Sequence, residues 1–236
     1  MNATPRWGAK DFMLCAAVAL GAAWLAAQAG ENLSYRWNWQ AAWGYVIAGG
    51  ETGFAPGLLL SGFAASIRLL VLAGILSLLF GGVLAAALLS PFRAPAVVYV
   101  EAMRNTPPLV FMFIFFYFIG GGAFDFIGAI FAESDSALLK MLIGDPRLAG
   151  NFFGGAVCLA LFECAFFAEV LRAGILSVER GQWEAAKSAG LGRWQILRFV
   201  ILPQALKNTA APLVGQLIFL VKDSAILSVI SVQELT

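Results

Sequence analysis

Gly181-Gln182-Trp183-Glu184-Ala185-Ala186-Lys187-Ser188-Ala189-Gly190-Leu191-Gly192 is a polar interruption in an otherwise apolar chain, and it runs on through Arg193-Trp194-Gln195-Ile196-Leu197-Arg198-Phe199-Val200-Ile201-Leu202-Pro203. The spacing predicts a short helix over 182–189, with small residues at Ala185, Ala186 and Ala189, broken by Gly190 and Gly192. A second amphipathic stretch, 194–202, offers Ile196, Leu197, Phe199 and Val200, and Pro203 is expected to end it. The whole segment between apolar runs, 173–208, is far longer than a connection between packed spans needs to be. Two readings of this helix–glycine–helix element stand side by side. Its small face seats in a groove of another protein, or its apolar face rests on lipid headgroups.

Working outward, the composition places the element in a membrane protein. The chain has 236 residues, 61% hydrophobic and 12% charged, against about 25% charged in a soluble domain. A net charge of +1 gives no footprint for nucleic acid. There are no histidines, which removes the commonest metal ligand and the commonest general base, and no metal site or cofactor is expected. Cys15, Cys158 and Cys164 all lie in apolar stretches and read as buried thiols acting as small apolar residues. No G-x-x-x-x-G-K-[ST] occurs, so the chain carries no phosphate cradle of its own for ATP.

Five apolar stretches, 12–29, 60–90, 107–128, 152–172 and 209–231, approach or exceed the roughly 20 residues needed to cross a bilayer as a helix. The second is too long for one straight span, and its first part, 61–68, is placed at the interface with Arg68 snorkelling outward. The expected fold is therefore all-α, a multi-pass membrane helical bundle. Basic residues set its direction. Arg6, Lys10, Arg93, Arg104, Arg172, Arg180, Lys187, Arg193, Arg198 and Lys207 fall in one set of connections; the alternating set holds Arg36, Lys140 and Arg147. Ten against three puts the N-terminus and the 173–208 loop in the cytoplasm. The first stretch also reads as a signal peptide ending in Ala27-Gln28-Ala29, with the rest of the topology unchanged. Residues 1–57 form an N-terminal membrane anchor helix and external loop, and 58–236 the main transmembrane domain.

Glu184-Ala185-Ala186, then Gly190, then Val200-x-Leu202-Pro203 resembles the E-A-A…G…I-x-L-P signature of binding-protein-dependent ABC permeases. Neighbouring segments resemble the polar-amino-acid branch of that family. They are Arg104-Asn105-Thr106-Pro107-Pro108-Leu109, the run Ala165-Phe166-Phe167-Ala168-Glu169-Val170-Leu171-Arg172-Ala173-Gly174-Ile175, Gly181-Gln182-Trp183, and Lys222-Asp223-Ser224-Ala225-Ile226. The resemblance covers about 58–236. It implies a methionine-importer-like permease fold in the bacterial inner membrane, working with a second permease subunit, two ABC ATPase subunits and an external substrate-binding protein. It implies further that Glu184, Ala185, Ala186, Gly190, Leu202 and Pro203 belong to the element that couples the ATPase to the spans. The family continues past this region into one more inward-going span, so a truncated, non-transporting chain is an alternative, as is an importer of another amine-bearing solute.

Glu163, Glu169, Lys222 and Asp223 lie within or at the ends of the expected spans, where charges are costly and face a pathway or one another. Glu169 and Arg172, three apart, are expected to form a structural ion pair. Glu163 sits about nine residues from Arg172, near mid-membrane. It reads either as a partner for a substrate ammonium or as a partner of Lys222 that locks two helices. With Lys222, Asp223 and Ser224 it makes up the candidate translocation path.

The basic asymmetry yields the first prediction. A cysteine at Ser188 reacts with an impermeant thiol reagent only from the cytoplasmic side, and one at Ser134 only from outside. Equal labelling of position 188 in intact cells would overturn the orientation.

Overall fold

The computed structural model describes residues 8–32, 38–50, 53–132, 136 and 142–230; Arg6, Arg36, Ser134, Lys140 and Ser231 lie outside the described residues. The chain forms two compact units, 1–45 and 46–236. In the first, α1 (Ala9–Asn32) covers the first apolar stretch, and α2 (Trp39–Val46) begins after Asn38, whose side-chain oxygen caps the Ala41 N–H at 3.0 Å.

The second unit opens with an antiparallel hairpin, β1 (Ile47–Gly50) and β2 (Gly53–Pro56), pairing Ile47 with Pro56 and Gly50 with Gly53. It is followed by α3 (Leu58–Leu88), one unbroken helix of 31 residues. At 1.5 Å per residue α3 is about 46 Å long, longer than a hydrocarbon core of about 30 Å. Arg68 leans from α3 towards the 142–145 segment. Its guanidinium lies 3.1 Å from where a Cβ on Gly144 would stand, and the lack of that atom lets Gly144 hold a positive φ of 94°.

The stretch expected as one span over 107–128 consists of three helical pieces, and a sharp break lies just before it. Helix α4 (Arg93–Asn105) stops at Thr106, whose extended backbone (φ −100°, ψ 133°) precedes Pro107 and Pro108. Thr106 Oγ1 donates to Ala102 O at 2.7 Å and Asn105 Nδ2 to Glu101 O at 2.7 Å, capping carbonyls the stop leaves open. Beyond the break, α5 (Pro108–Ile114) sets off at 112° to α4. A π-helical turn, Phe115–Gly120, then leads into α6 (Gly121–Ala132).

Helix α7 (Ala149–Leu176) is the centre of the unit. Small residues run along it, and Gly150, Gly154, Ala156, Cys158, Ala160, Cys164, Ala165, Ala168 and Gly174 are all buried. A Cβ on Gly81 of α3 would stand 2.7 Å from Phe167 Cβ and 3.1 Å from Cys164 O, so the two helices touch nearly backbone to backbone. On another side, Phe116 and Phe124 stack at 5.5 Å over Gly154. Leu69, Met112, Leu159, Phe167, Leu220 and Leu227 complete the core from five different segments.

After the short α8 (Arg180–Ser188), α9 (Arg193–Gln195), a π-helical turn (Ile196–Ile201) and α10 (Leu202–Ser224) run on as one helix, which continues in 3-10 winding over Ala225–Ile230. This corrects the expectation that Pro203 ends a helix. The wider π-turn shifts the hydrogen-bond register just before the proline and makes room for its ring, and Gln204 Nε2 donates to Val200 O at 2.8 Å beside the lost donor. Pro212 lies inside α10. By length and composition three described helices can cross a membrane, Leu58–Leu88, Ala149–Leu176 and Arg193–Ser228, or four if the bent pair at 105–108 is one span.

The contact between α3 and α7 gives a stability prediction. Gly81→Leu forces backbone apart and lowers the unfolding free energy by about 3 kcal/mol, while Gly82→Ala, whose Cβ would meet nothing within 4 Å, is neutral. Thermal unfolding of the purified chain in detergent measures both, and equal midpoints for the two variants would refute the close packing.

Candidate functional site

Helix α8 owes its form to its two ends. It begins at Arg180 and stops at a left-handed turn, a conformation that glycine adopts most readily. Leu191 N–H donates to Ala186 O at 3.2 Å and Gly190 N–H to Lys187 O at 2.9 Å, with Gly190 at φ +78° between them. Gly192 then starts the long helix, its N–H held by Gln195 Oε1 at 2.8 Å. The break that the two glycines predicted is thus a helix stop followed directly by a helix start.

One face of α8 is used internally. Ala186 is buried against Ile196, Ile201, Ala205 and Val178, with Trp183 and Leu191 packed around them. Ala186 therefore does not share an outward face with the other alanines, since it is buried while Ala185 and Ala189 are exposed. Those two are exposed, together with Glu184, Lys187, Ser188 and Gly190, and no atom approaches within 4 Å of a Cβ built on Gly190. Leu202 is half-buried and Pro203 exposed. What the loop presents is a patch of small residues edged by Glu184 and Lys187 and held at a fixed turn.

The second constellation lies where α7 meets the long helix. Glu163 is 1% exposed. Gln216 Nε2 donates to its Oε2 at 2.5 Å, and the Asp223 carboxyl lies near the same group. Gln216 and Asp223 are seven residues apart, two turns of one helix, so both face α7. Lys222 lies about 100° round the helix from Asp223 and is exposed. The expected pairing of Glu163 with Lys222 is therefore corrected to one with Gln216 and Asp223. Ser224 is buried and donates to Val221 O at 2.9 Å. Arg172 grips Glu169 Oε2 through Nε at 3.1 Å and Nη2 at 2.8 Å, the ion pair expected from their spacing.

Three polar links were not singled out from the sequence. Tyr99 donates its hydroxyl to Leu161 O at 2.5 Å and ties α4 to α7. Asn208 Nδ2 reaches Ser177 Oγ at 2.9 Å, and Gln204 Nε2 reaches Gln182 Oε1 at 3.2 Å. The i, i+4 spacing of Gln204 and Asn208 was the signal available for the last two. Among the described residues no group of three His, Cys, Asp or Glu side chains could hold a metal ion.

Residues 77–235 match the binding-protein-dependent transport system inner membrane component family. The glutamate transport system permease protein of Corynebacterium efficiens is 39% identical over 181 residues, covering 75% of this chain and 74% of that protein. The glutamate/aspartate import permease protein of Escherichia coli O6:H1 is 32% identical over 180 residues, covering 75% and 73%. A probable amino-acid ABC transporter permease protein of Bacillus subtilis is 38% identical over 147 residues, and there the match spans 62% of this chain and 55% of the relative. Among solved structures, an amino acid ABC transporter crystallised with histidines superposes with a TM-score of 0.58 at 33% identity, covering 76% of this chain and 74% of that one. With its polar loop, its small-residue core and two-thirds of its length matched, this chain belongs to the family of binding-protein-dependent transport system inner membrane components.

Proposed function

We propose that the chain is the membrane-spanning permease subunit of an ATP-driven importer of polar amino acids, with α8 as the surface that receives the ATPase. The observation that carries this is the exposed patch of Glu184, Ala185, Ala189 and Gly190, set at a fixed helix stop on a long loop between two spanning helices. Small residues let another backbone come close. ATP is hydrolysed in the partner subunits, since this chain has no phosphate cradle. The substrate class follows the relatives, whose names specify glutamate, glutamate/aspartate and amino acids. The N-terminus and the α8 loop are assigned to the cytoplasm from the basic asymmetry, and a binding protein delivers solute from the opposite side.

A second permease subunit is part of the proposal. The apolar length of the long helix is mostly exposed, whereas that of α7 is mostly buried, and Lys222 stands exposed on the long helix. A charge at such depth is costly against lipid, so a neighbouring subunit covering this helix accounts for both. In transport the partner ATPases close on ATP and drive α8. The long helix and α7 move with it, and the path opens to receive solute; hydrolysis resets it. Glu163, Asp223 and Ser224 lie on this path, with Glu163 as the group that meets the solute's ammonium.

Two outcomes follow. Gly190→Asn keeps the left-handed turn, which asparagine tolerates, but adds bulk to the docking patch. The protein accumulates normally while co-purification of the ATPase subunits falls by about tenfold, the equivalent of about 1.4 kcal/mol; unchanged co-purification would remove α8 as the docking surface. Glu163→Gln still accepts from Gln216 and can donate to Asp223, so helix packing holds while charge is lost. Apparent affinity for uptake of labelled glutamine, glutamate or arginine drops by about tenfold. Unaltered uptake of all three would exclude Glu163 from the path, and competition by a non-amino-acid amine would redirect the substrate class.

A further inference from the structure

The corner at which the loop leaves α7 is held by two side-chain amides of the long helix. Asn208 Nδ2 donates to Ser177 Oγ at 2.9 Å, and that hydroxyl donates in turn to Gly174 O at 2.8 Å in the last turn of α7. One turn earlier, Gln204 uses both hydrogens of its amide nitrogen, giving one to Gln182 Oε1 of α8 at 3.2 Å and one to Val200 O at 2.8 Å. Four residues apart, Gln204 and Asn208 stand one above the other on a single face. Their partners stand on opposite sides of the corner 178–181, one before α8 begins and one within it. Directly beneath, Thr209 closes over Gly174 so tightly that a Cβ there would stand 2.0 Å from the threonine methyl.

Apolar packing of Ala186 against Ile196, Ile201 and Ala205 sets how far α8 lies from the long helix. It sets the angle only weakly, because apolar contact has no direction. Hydrogen bonds do have direction, and these two bracket the corner. We infer that Gln204 and Asn208 are positioning residues. They fix the angle of α8 to both α7 and the long helix, so that force applied to α8 displaces the two helices together instead of folding the corner.

This rests on the assignment of α8 as the ATPase contact, and the test separates the two. The permease is purified with its ATPase subunits, reconstituted in liposomes with its binding protein, and assayed for ATP hydrolysed per labelled glutamine, glutamate or arginine imported. In the double variant Gln204→Met/Asn208→Leu the ATPase stays bound and hydrolysis is retained, but uptake falls. ATP consumed per solute rises by about tenfold, the change expected when two net hydrogen bonds are lost. The single variant Gln204→Glu keeps size, removes both donors and moves the ratio in the same direction. Pairing Gln182→Glu with Gln204→Lys rebuilds the outer link and returns the ratio towards the unmodified value. An unchanged ratio in the double variant or in Gln204→Glu, whether the two activities persist or fall in parallel, overturns the positioning role. Failure of the ATPase to co-purify with the unmodified chain overturns the α8 contact, and the positioning role with it.

Discussion

Apolar helices in hydrocarbon gain nothing from hiding apolar side chains from one another, since lipid tails are as good a neighbour. What holds α7 in place is fit. Gly81 brings α3 to the backbone of α7 at Cys164 and Ala168, Gly150 and Gly154 admit Phe124 from α6, and Gly174 admits Thr209 from the long helix. Each contact works only because a side chain is missing, and together they surround α7 on several sides. Helix α5 and the π-turn after it join the same core through Met112 and Phe116. A chain with larger residues at these positions would have the same hydropathy and no defined bundle.

Polar groups add what fit cannot supply, which is register. Glu163 with Gln216 and Asp223 fixes the long helix against α7 near its middle, and Asn208 with Ser177 fixes it near the foot. Tyr99 does the same between α4 and α7. In a low-dielectric interior such groups are costly unless satisfied. A slide of one helix past another would break the pairs at once, so each link holds its helices at one setting.

Much of this was legible in the residues. The length of the run at 152–172 gave α7, whereas the run at 60–90, read as too long for one straight span, is the single helix α3; Gly190 with Gly192 located the break between α8 and the long helix. The three-residue spacing of Glu169 and Arg172 gave their ion pair. Pro203 misled because a proline reads as a stop, whereas a π-turn ending two residues earlier absorbs it. Pro107 and Pro108 were seen as the start of an apolar run, yet their effect on Thr106 turns the chain through 112°. Lys222 was a reasonable partner for Glu163 by charge. Which residue of a neighbouring helix faces Glu163 depends on the rotation of that helix, and the spacing of Gln216 and Asp223 shows their common face without saying what it meets.

Pro212 sits between the two places where the long helix is pinned, with Thr209 over Gly174 on one side and Gln216 on Glu163 on the other. A proline inside a helix removes one backbone bond and is the usual place for a kink. From Pro212 to Ser228 the helix is about 24 Å long at 1.5 Å per residue. A bend of about 20° at this proline would carry the far end through about 8 Å. The hydrogen bond from Gln216 to Glu163 lies four residues, about 6 Å, beyond Pro212, and so clamps the long helix beside the position where a proline leaves it easiest to bend.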